Sequence, residues 1–160
     1  MKRILSLLLA LALILSLAGC YTENPQPSQT QQTLQTQQTQ QTEALLDENG
    51  SYDSKEDVAL YLHQYGHLPG NYMTKAQARK QGWKSGALSS VLPGKCIGGD
   101  VFHNREGLLP NKAGRTYYEC DIGTLNSGSR GAKRIVFSDD GLVYYTHDHY
   151  GSFQLLYGEP

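Results

Sequence analysis

Residues 116–146 read TYYECDIGTLNSGSRGAKRIVFSDDGLVYYT, and this stretch decides the fold. Three runs rich in β-branched and aromatic residues, Thr116–Ile122, Arg134–Ser138 and Leu142–Thr146, are separated by the turn signals Asn126-Ser127-Gly128 and Asp139-Asp140-Gly141. Side chains alternate across a strand. Tyr117, Glu119 and Asp121 therefore share one face of the first run, and Tyr118, Cys120 and Ile122 share the other. In the second run Arg134 and Val136 oppose Ile135 and Phe137. If Cys120, Ile122, Ile135 and Phe137 point toward a hydrophobic layer, Glu119 and Arg134 project from the opposite, solvent side of the sheet. Working outward, Lys95–Phe102 after Pro93-Gly94 and Ser152–Tyr157 near the C-terminus add strands. Gly98-Gly99 marks a bulge that resets the parity of the first.

Upstream the period changes. Ser54 precedes the helical pattern Val58, Leu60, Tyr61, Leu62 and Tyr65, with Asp57 as its capping-box partner, and Gly66 stops it. Leu68-Pro69-Gly70-Asn71 is a turn. Thr74 and Gln77 repeat the box before a short second helix through Lys80, which Gly82 ends. Helices first and strands later predict an α+β domain, with N-terminal helices packed on one face of a multi-stranded antiparallel sheet. No repeat of 20–50 residues interrupts this reading.

The first third of the 160-residue chain is different material. Lys2 and Arg3 precede an apolar run at 4–18, broken only by Ser6 and Ser16, that closes at Leu17-Ala18-Gly19-Cys20. At 15 residues it is shorter than the ~20 of a membrane span and has the size of a signal-peptide core. The ending resembles a bacterial lipobox, which implies a lipoprotein signal peptide at 1–19 and a lipidated Cys20; plain secretion is the alternative. Nine Gln and five Thr among residues 24–42, with Leu34 the sole large apolar side chain, predict a disordered tether over 20–50. The globular part is then 51–160. Setting aside Lys2 and Arg3 with Glu23, Glu43, Asp47 and Glu48 leaves that part at roughly +1 with neutral histidines. A broad basic field holding nucleic acid by charge alone is excluded. Export places Cys96 and Cys120 in an oxidising compartment, as a disulfide or as two buried thiols.

The residues able to do chemistry are Glu119, His149, Arg130 and Arg134, with Lys75 opening the second helix. A carboxylate and an imidazole form a base and acid pair near neutral pH. Two arginines can fork onto phosphate oxygens and stabilise charge developing there. The plainer reading of Glu119 with Arg134 is a sheet-surface ion pair worth ~0–1 kcal/mol.

From Val58 to Phe153 an ordered series of motifs points further. The stretches are Tyr72-Met73-Thr74-Lys75, Gly82-Trp83, Pro93-Gly94-Lys95, Ile97-Gly98-Gly99-Asp100-Val101-Phe102 and Asn104-Arg105-Glu106-Gly107. They continue with Leu109-Pro110, Gly114-Arg115-Thr116, Glu119, Asp121-Ile122, Arg134-Ile135 and Asp148-His149-Tyr150. In this order and spacing the chain resembles the secreted bacterial guanyl-preferring ribonucleases, the barnase family. The resemblance implies RNA cleavage without metal or other cofactor. Glu119 would take the ribose 2′-hydroxyl proton and His149 would protonate the leaving 5′-oxygen. Lys75, Arg130 and Arg134 would stabilise the pentacoordinate phosphorus. It also implies guanine recognition by the loop His103, Asn104 and Arg105 and by the Glu106 carboxylate, which can accept from two adjacent guanine donors, with Tyr150 beside the substrate. Asp121 would anchor both arginines, Asp100 would sit near Lys75, and Arg115 with Asp140 matches a structural ion pair. The implied partners are RNA, a small barstar-like inhibitor and, through Cys20, a membrane; the implied state is a monomer.

The chain also departs from the family. The segment between Asp121 and Arg134 is one residue longer, about two residues are missing between Trp83 and Pro93, His103 replaces a small residue, and Gly141 replaces a Trp. Cys96 and Cys120 fall where the family has no cysteine, on strands expected to be neighbours, which favours pairing them. His147-X-His149 offers two imidazoles that could recruit zinc, but His63 and His67 lie far from it in sequence. A non-catalytic surface lipoprotein binding RNA or a protein on the same fold is the competing functional class. Its signature would be a missing catalytic residue, and Glu119 and His149 are both present.

Overall fold

The computed structural model describes residues 44–160; the leader, Cys20 and the tether up to residue 43 lie outside the described residues. Helix α1 spans Lys55–Tyr65. Ser54, extended at φ −72° and ψ 155°, accepts the Asp57 N–H at 3.0 Å and donates its hydroxyl to the Asp57 carboxylate at 2.7 Å. Asp57 therefore supports the cap through the Ser54 hydroxyl. Gly66 ends the helix at φ 72°, a left-handed conformation in which a side chain would be strained. A two-residue strand β1, Tyr72–Met73, follows, then α2 over Lys75–Lys80 with both halves of the Thr74/Gln77 capping box formed. A single 3₁₀ turn at Leu88–Ser90 leads into the sheet.

The remaining strands are β2 (Cys96–Phe102), β3 (Tyr117–Asp121), β4 (Arg134–Ser138), β5 (Val143–Thr146) and β6 (Gln154–Tyr157). All six form one sheet in chain order, antiparallel except where β1 runs parallel to β2. The expected α+β architecture is the observed one. β1 was not expected from the sequence, because two residues are too few to show a period. Asp121 pairs with Arg134 and Glu119 with Val136, so the acidic face of β3 and the Arg134 face of β4 coincide as alternation requires. Gly98 pairs with Cys120 and Asp100 with Glu119, which leaves Gly99 as the bulged residue at φ 92°. A Cβ on Gly98 would stand 2.6 Å from that of Cys120, so only glycine permits this approach. The bulge turns Asp100 onto the face that carries Glu119.

The sheet is covered on both faces. On one side Val58, Ala59 and Leu62 of α1 pack on Cys120, Ile122, Ile135, Phe137 and Val143. On the other, Tyr117, Val136 and Tyr144 pack with Leu109 and Leu142 beneath Phe102, Tyr150 and Phe153. Ala78 of α2, Trp83, Leu88 and Ile97 close a third, smaller core.

Two expectations change. Residues 44–50, assigned to the tether by composition, lie along α1. Leu46 N–H donates to Gln64 Oε1 at 3.0 Å, and the Tyr65 and Tyr61 hydroxyls donate to the carbonyls of Leu46 (2.5 Å) and Glu48 (2.9 Å). These anchors are main-chain groups, which composition does not register. The cysteines are the second correction: Cys96 and Cys120 are free, buried thiols. Cys120 stands opposite Gly98, so Cys96 is displaced from it by two positions along β2. Such diagonal neighbours are ~7–8 Å apart, beyond ordinary disulfide reach. The Cys96 thiol instead accepts from the Thr124 hydroxyl at 3.4 Å, and burial pushes its pKa up to about 11.

Candidate active site

The centre of β3 presents Glu119, which is only 9% exposed. Lys75 Nζ donates to its Oε1 at 2.5 Å, and the Tyr150 hydroxyl donates to its Oε2. Burial pushes the Glu119 carboxyl up, but the Lys75 and Tyr150 donors, helped by the charge of Arg130, outweigh it and hold the pKa below the ordinary glutamate value. Tyr150 moves the opposite way, raised by burial and by the neighbouring carboxylate. Lys75 is placed by the start of α2 and by Asp100, whose Oδ2 accepts the Lys75 main-chain N–H at 2.9 Å.

Below Glu119 on the same strand, Asp121 is 1% exposed and holds both arginines. Arg130 Nε and Nη2 donate to its two oxygens, each at 2.7 Å. Arg134 Nε lies 3.0 Å from Oδ1 as an ion pair, out of line for a hydrogen bond. Arg134 Nη1 donates to the carbonyls of Lys133 (2.7 Å) and Arg130 (3.1 Å). Arg134 is 2% exposed, so this face of the sheet is not the solvent side that alternation suggested, and its ion-pair partner is Asp121, not Glu119. Alternation sorts faces but does not report what covers them. The aromatic layer of Tyr150, Phe102 and Phe153 does the covering here.

The segment after β5 carries His149 and Tyr150 at φ 58° and 75°. Two successive non-glycine residues in the left-handed region cost ~1–3 kcal/mol each and persist only where their surroundings enforce them. His149 N–H donates to the Ala132 carbonyl at 3.2 Å, and Tyr150 N–H donates to Thr146 Oγ1 at 3.0 Å. Thr146 is fully buried, and its hydroxyl donates to Asp148 Oδ1 at 2.8 Å. Sequence reasoning assigned no role to Thr146 or to Asp148. The signal for Asp148 was its place in the Asp148-His149-Tyr150 motif; Thr146 and Ser152 are marked only as polar residues around it.

On the far side of the cleft stand residues 103–107. Asn104, at φ 43°, turns its side chain inward, accepting from Leu109 N–H at 3.0 Å and donating to the Leu109 carbonyl at 2.8 Å and to Asn111 at 3.1 Å. Its side chain is the frame of the loop, and its main-chain carbonyl accepts from Gly107 N–H at 3.0 Å. His103 borders the cleft, and Arg105 and Glu106 are exposed there. Lys75, Glu119, Arg130, His149 and Tyr150 face residues 103–106 across an open cleft of about 390 Å³. Arg134, Asp121 and Asp100 support it from beneath or beside. Arg115 is apart from the cleft, forked onto Asp140 with Nε and Nη2 each donating at 2.9 Å. Among the described residues no cluster of three or more His, Cys, Asp or Glu is placed to hold a metal ion, so His147 and His149 have no further ligand.

A carboxylate and an imidazole that line one cleft with Lys75 and Arg130 are groups that can exchange protons with an anionic ligand. Comparison with known proteins names the class. A family model described as ribonuclease matches residues 55–157, and the chain belongs to that family. It is 54% identical over 100 residues to a ribonuclease of Heyndrickxia coagulans, covering 61% of this chain and 91% of that one. It is equally similar to a ribonuclease of Bacillus intermedius, of whose length it spans 61%. Against guanyl-specific ribonuclease St of Saccharopolyspora erythraea it is 49% identical over 57 residues, 36% of this chain and 56% of that one.

Proposed function

We propose that the protein is an endoribonuclease that cleaves single-stranded RNA on the 3′ side of guanine without a metal ion. The observation that carries this reading is a buried carboxylate, kept ionised by Lys75 and Tyr150, sharing one cleft with His149 and Arg130. Glu119 takes the proton of the ribose 2′-hydroxyl as its oxygen bonds to the adjacent phosphorus. The bond from phosphorus to the 5′-oxygen breaks, and His149, as imidazolium, gives that oxygen its proton. Lys75, Arg130 and Arg134 offset the charge gathering on the phosphoryl oxygens. Water then opens the 2′,3′-cyclic phosphate with Glu119 and His149 exchanging roles. Because the nucleophile is the 2′-hydroxyl, DNA is not a substrate.

Guanine selection falls to the backbone of residues 103–105 and to Glu106, whose exposed carboxylate meets the paired donors of the base. Relatives named guanyl-specific ribonucleases support this preference. The basic cleft also suits a small acidic inhibitor of the barstar kind. Lys2, Arg3 and the apolar run to Cys20 support export and anchoring through a lipidated Cys20, with the domain acting as a monomer outside the cytoplasm.

The test is cleavage of guanylyl-(3′→5′)-adenosine in excess EDTA. Guanosine 2′,3′-cyclic phosphate should appear, and His149→Ala should lower kcat by ~10²–10⁴. A folded protein that gives no cyclic phosphate would return the site to a non-catalytic RNA- or protein-binding role.

A further inference from the structure

We infer that Asp148, working with Thr146 and Ser152, is a positioning residue that sets the geometry of the proton donor His149. The inference rests on the assignment of His149 as the acid for the leaving 5′-oxygen. Asp148 does not touch the cleft. Its Oδ1 accepts from the Thr146 hydroxyl at 2.8 Å and from Ser152 N–H at 3.0 Å, and its Oδ2 accepts from the Ser152 hydroxyl at 2.7 Å. The carboxylate thus ties the last residue of β5 to the start of the return toward β6 and closes a loop of five residues between them. Inside that loop lie only His147, Asp148 itself, His149, Tyr150 and Gly151. A Cβ at Gly151 would stand 3.1 Å from Asp148 Oδ2, so the loop is drawn tightly around the carboxylate.

The loop has a conformation that nothing local favours. His149 and Tyr150 are successive left-handed residues with large side chains, a state that an untethered segment would leave. Three bonds enforce it: Tyr150 N–H on the Thr146 hydroxyl, that hydroxyl on the Asp148 carboxylate, and His149 N–H on the Ala132 carbonyl. The Ser152 donors and the Thr146 hydroxyl also hold the Asp148 carboxyl well below the usual carboxylate range, so it remains a charged acceptor at any pH at which the site works. The strain has a use at one place. Reversing the chain at 149 and 150 points the imidazole and the phenol into the same cleft, with their rings 4.7 Å apart and the phenol hydroxyl on Glu119. A carboxylate that organises this turn places the acid relative to the base.

Leaving-group dependence separates such a role from a merely structural one. Guanylyl-(3′→5′)-adenosine releases an alkoxide-like oxygen that needs the proton of His149. Guanosine 3′-(4-nitrophenyl phosphate) releases a nitrophenolate that leaves without it. In the full chain, Asp148→Ala should lower kcat on the dinucleotide by about 100-fold, the scale of a misplacement near 1 Å, with KM little changed. The loss on the aryl ester should be at least roughly tenfold smaller, because acid catalysis is not needed there. Thr146→Val should behave likewise, and Thr146→Ser, which restores the hydroxyl, should recover most of the dinucleotide rate. Should Asp148→Ala fail to fold, the Thr146→Val and Thr146→Ser pair decides the matter. Equal losses on the two substrates, or no loss on either, would overturn the inference while leaving the ribonuclease reading intact. If the unmodified protein cleaves neither substrate, the ribonuclease reading itself fails and takes this one with it.

Discussion

Each oxygen of Glu119 has its own donor, Lys75 on Oε1 and Tyr150 on Oε2, and these donors favour its ionised form, the form the proposed mechanism needs in a base. Burial alone would raise the carboxyl and silence it in mild acid; the two donors reverse the sign. The acid limb of kcat/KM should therefore lie below the ~4.3 of an ordinary glutamate. Lys75→Met removes the larger of the two donor effects and leaves burial unopposed by that charge, so the limb should move to higher pH. The rate should also fall, since the proposed mechanism gives Lys75 a share of the phosphoryl charge, but the position of the limb is what tests the electrostatics. A pH–rate profile of both proteins on the dinucleotide measures it. An unshifted limb in Lys75→Met would mean that Lys75 does not set the state of Glu119. Sequence spacing could name Glu119 and Lys75 as partners in one site only through the resemblance of whole motifs, for they are 44 residues apart and on different elements.

At the scale of elements, legibility followed pattern length. Both helices could be read from their caps, the long strands from alternation, and the bulge from Gly98-Gly99. The facing of Glu119, Asp121 and Arg134 followed from counting by two. What had no period stayed hidden: the two residues of β1, the loop that holds His149, and residues 44–50. Neighbouring strands are not enough to pair two cysteines; register decides whether the thiols meet, and Cys96 and Cys120 sit diagonally. Residues 44–50 give an element-level prediction. Their docking uses the hydroxyls of Tyr61 and Tyr65 on main-chain carbonyls of Glu48 and Leu46. Removing both in Tyr61→Phe with Tyr65→Phe should cost about 1–3 kcal/mol in urea unfolding, at ~0.5–1.5 kcal/mol per hydrogen bond. The value of kcat/KM should not change, because neither hydroxyl reaches the cleft. A stability equal to that of the unmodified protein would show that the segment contributes nothing to the folded domain.

For the whole molecule, the carboxylates tie activity and stability to the same pH range. Glu119 is lowered by Lys75 and Tyr150 despite burial, Asp140 is lowered by the Arg115 fork and by Ser138, and Asp148 is lowered by Ser152 and Thr146. Each has a folded pKa below its unfolded one, so each binds its proton less readily in the native state. Their stabilisation is complete above the unfolded carboxylate range of ~4 and is lost as the pH falls through the folded values. Protonation also strips the counter-charge from Lys75 in the cleft and from Arg115 outside it, leaving each cation without its partner. The urea midpoint should thus be nearly flat from pH 7 down to ~5 and fall steadily below ~4. Asp140→Asn isolates one contributor outside the cleft. It should lower the midpoint at neutral pH, where Arg115 loses its partner, and make the fall in acid shallower, with kcat on the dinucleotide unchanged. Two lines that stay parallel from pH 7 to pH 2 would show that the Arg115–Asp140 fork carries none of the acid sensitivity, and would leave Asp148 and the carboxylates of the cleft as its source.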